Sequence, residues 1–159
     1  LRNTKRIHHV AHAFYEGPPM TSVGPEGLDV HFVEGPSGEA RRVVVEGRIR
    51  SLMSEGLGPT GLVILTGCAP EKSCLAGAIH VDGVRMTSNR RVDPGAILLQ
   101  SIENFKGLES QAVILTDLEG IPPRDWDDLL YVGLSRPRAY LEVLGTSEAL
   151  ARIRPCRVD

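Results

Sequence analysis

The sequence has no basic excess. Its 18 Lys and Arg are outnumbered by 20 Asp and Glu, for a formal charge of −2. A chain that grips nucleic acid by itself usually carries a surplus of positive charge. Any nucleic-acid contact here is therefore local, or shared with another domain. Cysteine is scarce: Cys68, Cys74 and Cys156 form no CxxC pair. An odd, scattered set excludes a zinc or disulfide framework, and such thiols suit a reducing, cytoplasmic setting. Long apolar runs are absent. The longest, residues 61–66 and 112–116, fall far short of the roughly 20 residues a membrane span needs. The polar, basic start carries no export signal, so no membrane partner is expected.

Several signatures of self-sufficient enzymes are also missing. There is no GxxxxGK[ST] loop to cradle phosphates and hold Mg²⁺. No GxGxxG run follows a strand, which weakens a dinucleotide reading. The GxSxG elbow of α/β-hydrolases and the HExxH metal motif are absent. What remains is a set of arginines, glycines and one glutamate close to apolar runs.

The 159 residues suit one domain with its own core. Seventeen Gly and eleven Pro, dispersed along the chain, predict many tight connections. Asn3 or Thr4 is placed to cap a helix reaching residue 16, where Gly17-Pro18-Pro19 stops it. His8, His9 and His12 lie at helical spacing there, but no acidic or Cys partner supports a metal site. Alternation over 28–34 (LDVHFVE) predicts a half-buried strand. Val43, Val44, Ile49, Leu52 and Met53 pattern a helix over 39–56, ended by Gly56, Gly58 and Pro59. The runs 61–66 (GLVILT) and 111–117 (QAVILTD) read as strands buried on both faces of a parallel sheet. Between them fall a short helix at 69–76, a hairpin around Asp82-Gly83, a strand at 96–102 and a short turn or helix at 104–109. A helix at 125–135, a strand at 140–145 and a helix at 147–153 follow. Alternating strands and helices predict an α/β sandwich around a mainly parallel sheet. Ligands in such folds bind at the carboxyl ends of strands, which points to the loops after Thr66, Ile102 and Asp117.

Three segments carry a family resemblance. They are Leu1-Arg2-Asn3-Thr4-Lys5-Arg6-Ile7, the stretch 101–109 (SIENFKGLE) with the strand after it, and 128–138 (DLLYVGLSRPR). In this order they resemble motifs IV, V and VI of superfamily 1 DNA helicases of the UvrD/Rep type. The KGLE and LYVGLSR cores are specific as a pair, and the resemblance spans residues 1–145. It implies that residues 1–159 form one RecA-like domain, the second of such a helicase, a three-layer sandwich with a mainly parallel sheet. A chain that begins at Leu1 rather than Met, and lacks a phosphate loop, then reads as a fragment of a longer polypeptide.

The resemblance also implies the roles. ATP with Mg²⁺ would sit in the cleft against the first RecA-like domain of the same polypeptide, which supplies most ligands for both. Arg136 matches the motif VI arginine finger, and Arg2 the motif IV arginine that also meets the γ-phosphate. Glu109 matches the glutamate that accepts the ribose hydroxyls, with Gly107 and Lys106 in the same loop. Ser101, Asn104 and the hydroxyl of Thr66 would meet the backbone of single-stranded DNA. Such contacts carry no sequence information, which suits a translocating motor. Two departures stand out: Glu103 occupies a position where relatives often carry His, and the large insertion between motifs IV and V is missing. An alternative that keeps the fold is a helicase-like module that binds protein or nucleic acid without turnover.

Overall fold

The structure, a computed structural model, describes residues 3–18, 20 and 24–153. Arg2 and Cys156 lie outside the described residues. The elements run α1 (Lys5–His12), β1 (His31–Glu34), α2 (Glu39–Ser54), β2 (Leu62–Thr66), β3 (His80–Val81), β4 (Val84–Thr87), β5 (Ile97–Ser101), β6 (Ser110–Thr116), α3 (Trp126–Ser135), β7 (Pro137–Gly145) and α4 (Ser147–Ala151). Short 3₁₀ turns connect several of them. The seven strands form one sheet in the order β1-β7-β6-β2-β5-β4-β3. Every pairing is parallel except β3 with β4.

Alternation along the central strands builds two cores. Val63 and Leu65 of β2, with Val113 and Leu115 of β6, face Ile7 and Val10 of α1, Leu130 and Leu134 of α3 and Leu150 of α4. Leu62 and Ile64, with Ala112 and Ile114, face Val45, Ile49 and Leu52 of α2. Helices therefore cover both faces, the three-layer α/β architecture of a RecA-like domain. Leu62, Val63, Ile64 and Leu65 are each fully buried. Burial on that scale is worth about 1.5–3 kcal/mol per side chain.

Local chemistry sets the boundaries. Thr4 caps α1 by accepting from the Ile7 amide. The helix ends at His12, short of residue 16, because Phe14 and Tyr15 tighten to i−3 bonds with Ala11 and His12. Gly56 closes α2 at φ 101, with Leu57 N donating to Leu52 O and Gly56 N to Met53 O, the Schellman pattern. Asp82 and Gly83 both take positive φ, as a two-residue hairpin of matching twist requires. The expected helix at 69–76 is a 3₁₀ turn, Pro70–Lys72. β7 starts at Pro137 rather than at residue 140, directly after the Arg136 cap of α3. Proline is tolerated at the first residue of a strand, where its missing donor breaks no ladder.

Candidate functional site

The strand order separates the sequence-derived site residues into two groups at opposite ends of the sheet. Ser110 of β6 and Pro137 of β7 are register partners at the amino ends of their strands. Glu109 and Arg136 immediately precede them, so chain segments far apart in sequence converge there. Arg136 N–H groups donate to three neutral acceptors: Nε to Val132 O at 3.0 Å, Nη1 to Leu108 O at 3.3 Å and Nη2 to Ser135 Oγ at 3.0 Å. Among the described residues no carboxylate pairs with it. Its backbone carbonyl takes the Ser110 amide at 3.2 Å. Glu109 is exposed and accepts from Arg138 Nε at 2.9 Å. Gly107 turns at φ 85 with open space where a Cβ would stand. Lys106 and Leu108 are exposed beside it.

The second group lies at the carboxyl ends. Thr66 of β2 and Ser101 of β5 are register partners. They line a cleft of about 660 Å³ together with Asn104. Thr66 is fully buried and donates its hydroxyl to Cys68 O at 2.7 Å. Ser101 Oγ accepts from the Asn104 amide at 3.2 Å, and Asn104 Nδ2 donates to Gln100 Oε1 at 3.2 Å. The cleft walls also carry Glu71, Glu103, Asp125 and Asp128, and among the described residues no Lys or Arg lines it. Glu103 is thus one of four carboxylates around this space.

Segment 102–109 joins the two ends. β5 and β6 flank β2, so the chain must return from the carboxyl end of one strand to the amino end of the next. Buried Ile102 and Phe105 anchor that return in the core. A Cβ on Gly133 of α3 would stand 3.2 Å from Ile102 and 3.3 Å from Leu115, so this glycine lets the helix lie close over the crossover.

A further polar site lies where the loops after Thr66 and Asp117, singled out by the strand pattern, come together, although the sequence named none of its side-chain partners. β2 leads toward β5 and β6 leads toward β7, so the sheet reverses its winding between β2 and β6, the place where α/β folds open a crevice. Here the loops that follow the two strands close on each other. A Cβ on Gly67 would stand 2.5 Å from Asp117 O, and one on Gly120 2.6 Å from Cys68 Cβ. On the α2 side a second cleft of about 630 Å³ remains. Arg41, almost fully buried, grips both Glu119 oxygens at 2.6 Å and lies 3.6 Å from Asp117. Asp117 takes a left-handed backbone (φ 53) and accepts from Ser73 Oγ at 2.7 Å and the Cys74 amide at 3.3 Å. The Arg41 hydrogen bonds hold Glu119 below the usual carboxylate range. Burial, helped by Asp117, pushes the Cys68 thiol up to about 11 and the Cys74 thiol up to about 12. Both therefore stay protonated and unreactive at neutral pH.

His8 and His12 sit 5.2 Å apart by ring centroid, and the row continues through Tyr15 to Tyr131. Burial lowers the His8 pKa, against a partly offsetting contact with Met20 O. Among the described residues no group of three or more His, Cys, Asp or Glu side chains is placed to hold a metal ion. No helix among them is long and apolar enough to cross a membrane.

Against solved structures, the chain is similar to the C-terminal domain of a possible DNA helicase from Lactobacillus plantarum WCFS1. The identity is 25% and the TM-score 0.72, over 96% of this chain and 92% of that one. No family model matches the sequence, and no curated protein does. The resemblance thus rests on fold and chain-wide alignment with a helicase C-terminal domain.

Proposed function

We propose that this domain is the second motor domain of an ATP-dependent DNA helicase or translocase of the UvrD/Rep type. The observation that carries the reading is the state of Arg136. Its guanidinium is held by three neutral oxygens at the amino edge of the sheet, with Glu109 beside it. Neutral acceptors orient the group and leave its positive charge uncompensated. An arginine so placed is suited to the γ-phosphate of ATP bound by a first RecA-like domain, because guanidinium is always charged and forks onto phosphate oxygens. Arg2 joins it in this reading, Glu109 meets the ribose, and Gly107 and Lys106 shape the same loop. Mg²⁺ is held mainly by the first domain. The carboxyl-end cleft faces single-stranded DNA through Ser101 and Asn104, and segment 102–109 ties the two ends together. Thr66, expected to offer its hydroxyl to DNA, is instead fully buried with that hydroxyl given to Cys68 O, so it shapes the cleft floor.

The similarity to a helicase C-terminal domain along nearly the whole chain supports this reading. Charge stabilisation by a finger arginine is worth about 10³–10⁵ in rate. In the full-length protein, Arg136→Ala is expected to lower DNA-stimulated ATPase by that order, while the fold is retained with a modest drop in melting temperature from the lost hydrogen bonds. Wild-type turnover in that variant overturns the assignment. A second reading, a helicase-like module that binds protein or nucleic acid without turnover, draws on the four carboxylates of the carboxyl-end cleft. It requires that the full-length protein hydrolyse no ATP under any DNA condition.

A further inference from the structure

We propose that Arg138 is a positioning residue for Glu109, which it holds and neutralises so that the free carboxylate oxygen can take a ribose hydroxyl. The inference rests on the motor-domain reading above. It concerns a residue for which the resemblance supplies no role.

The geometry is specific. Arg138 Nε meets Glu109 Oε2 at 2.9 Å, and no described residue donates to Oε1. One oxygen is tied back to the strand and the other is left open. The backbone around Glu109 is pinned, with Leu108 O taken by Arg136 and the Ser110 amide given to Arg136 O, but its side chain is exposed beside the open turn at Gly107 (φ 85). An exposed glutamate on such a loop would sample several rotamers. Fixing it beforehand removes an ordering cost that the ligand would otherwise meet.

The charges point the same way. Arg136, held against Leu108 O, and Arg138, bound to Glu109, bring two cations to this edge beside one carboxylate. Two guanidinium groups suit a polyphosphate, and a carboxylate suits a sugar diol, so the ligand class that fits the motor-domain reading is a ribonucleoside polyphosphate. A bare carboxylate next to that polyphosphate would repel it. Arg138 offsets the charge without occupying the oxygen that recognition needs. The pair is half-exposed, 56% for Arg138 and 36% for Glu109. Exposed pairs add little to stability, so a purely structural role would leave no trace in ligand preference.

The test uses the full-length protein and two ligands, ATP and 2′-deoxy-ATP, with Kd measured by calorimetry beside KM and kcat. The unmutated protein is expected to favour ATP by about tenfold, the scale of one hydrogen bond to a charged group. Arg138→Ala should raise the KM for ATP several-fold, leave kcat within about twofold, and bring the ATP to deoxy-ATP ratio close to one. Glu109→Gln should raise the KM and bring the same ratio close to one, and the double variant should add little to either, because the two residues act as a unit. Arg138→Lys should recover affinity in part, since a point charge neutralises but holds the carboxylate less well. Thermal melting of each variant checks the fold. A wild-type ratio in Arg138→Ala overturns the proposal, as does equal affinity for both ligands in the unmutated protein. If Arg136→Ala keeps full ATPase, the motor-domain reading itself has failed. If that variant is dead and Arg138→Ala is normal, only this inference is lost.

Discussion

Arg41 is the residue whose placement is hardest to anticipate and whose loss should be felt most. It occupies a position on α2 that a leucine would fill in a simpler helix, and its charge is out of water. Removing one member of a buried ion pair leaves the other charge uncompensated, at a cost of about 3–5 kcal/mol when both are deeply buried. Glu119 is partly exposed, so Arg41→Met is expected near the lower end, about 3 kcal/mol, read from the urea midpoint. The same pair sets a pH dependence. The folded-state pKa of Glu119 is depressed, so its contribution is present above the ordinary carboxylate pKa and is lost as pH falls through the depressed value. Stability of the unmutated protein should therefore decline on the acid side more steeply than that of Arg41→Met. Glu142 works in the opposite sense. Burial raises its pKa even though Arg48 contacts it at 2.6 Å. That term favours the fold at low pH and weakens as pH rises through the raised value. Parallel acid limbs for the two proteins would show that the Arg41–Glu119 contact does not control this window.

At the scale of elements, α3 is the piece through which the two ends of the sheet are held in register. Gly133 brings it against Ile102 at the head of the crossover and against Leu115 of β6. Gly133→Ala sets about 1 kcal/mol of helix propensity against a Cβ contact that requires its neighbours to give slightly. The two should nearly cancel. Gly133→Val adds methyl groups with no room and should cost about 1–3 kcal/mol by overpacking. A denaturation series at this one position checks both, and a Val variant as stable as the parent would mean that the helix is not tightly seated. The elements themselves were largely legible. Runs such as GLVILT are too uniformly apolar to be anything but doubly covered strands, and Asp-Gly fixed the hairpin through its φ preferences. The face of α2 was legible in part: Ile49 and Leu52 are buried and Val44 and Met53 pack against the same core, but Val43 is exposed, and Arg41 and Val45 complete the buried row. Counting back in fours from Ile49 would have found it, with the arginine as the discouraging term. The candidate site was legible as residues and not as a place. Motif order named Glu109, Arg136, Ser101 and Thr66, but strand order alone decides which end of the sheet each occupies. The pair between Arg138 and Glu109 and the network around Asp117 depend on contacts between distant segments, which local pattern does not encode.

Across the whole molecule, a formal charge of −2 conceals an uneven distribution. The amino edge presents Arg136 and Arg138 near Glu109, whereas the carboxyl-end cleft is lined by Glu71, Glu103, Asp125 and Asp128 with no cation among the described residues. The first charge pattern suits a polyphosphate, and the second opposes a DNA backbone. If single-stranded DNA passes this cleft in the motor, the attraction must come from other domains, and these carboxylates weaken binding. Removing two of them should then tighten it. Glu71→Gln with Glu103→Gln in the full-length protein is expected to lower the Kd for an oligo-dT strand by about three- to tenfold at 50 mM salt. The gain should shrink toward nothing near 1 M salt, where the Debye length falls to about 3 Å. Fluorescence anisotropy at several salt concentrations measures both. The slope of log affinity against log salt should steepen for the double variant, since DNA phosphates displace more counterions once the opposing charge is gone. Unchanged affinity at low salt would place the DNA path away from this cleft. The four carboxylates would then face a different partner, and the binding-module reading of this end of the domain would gain over the motor's DNA contact.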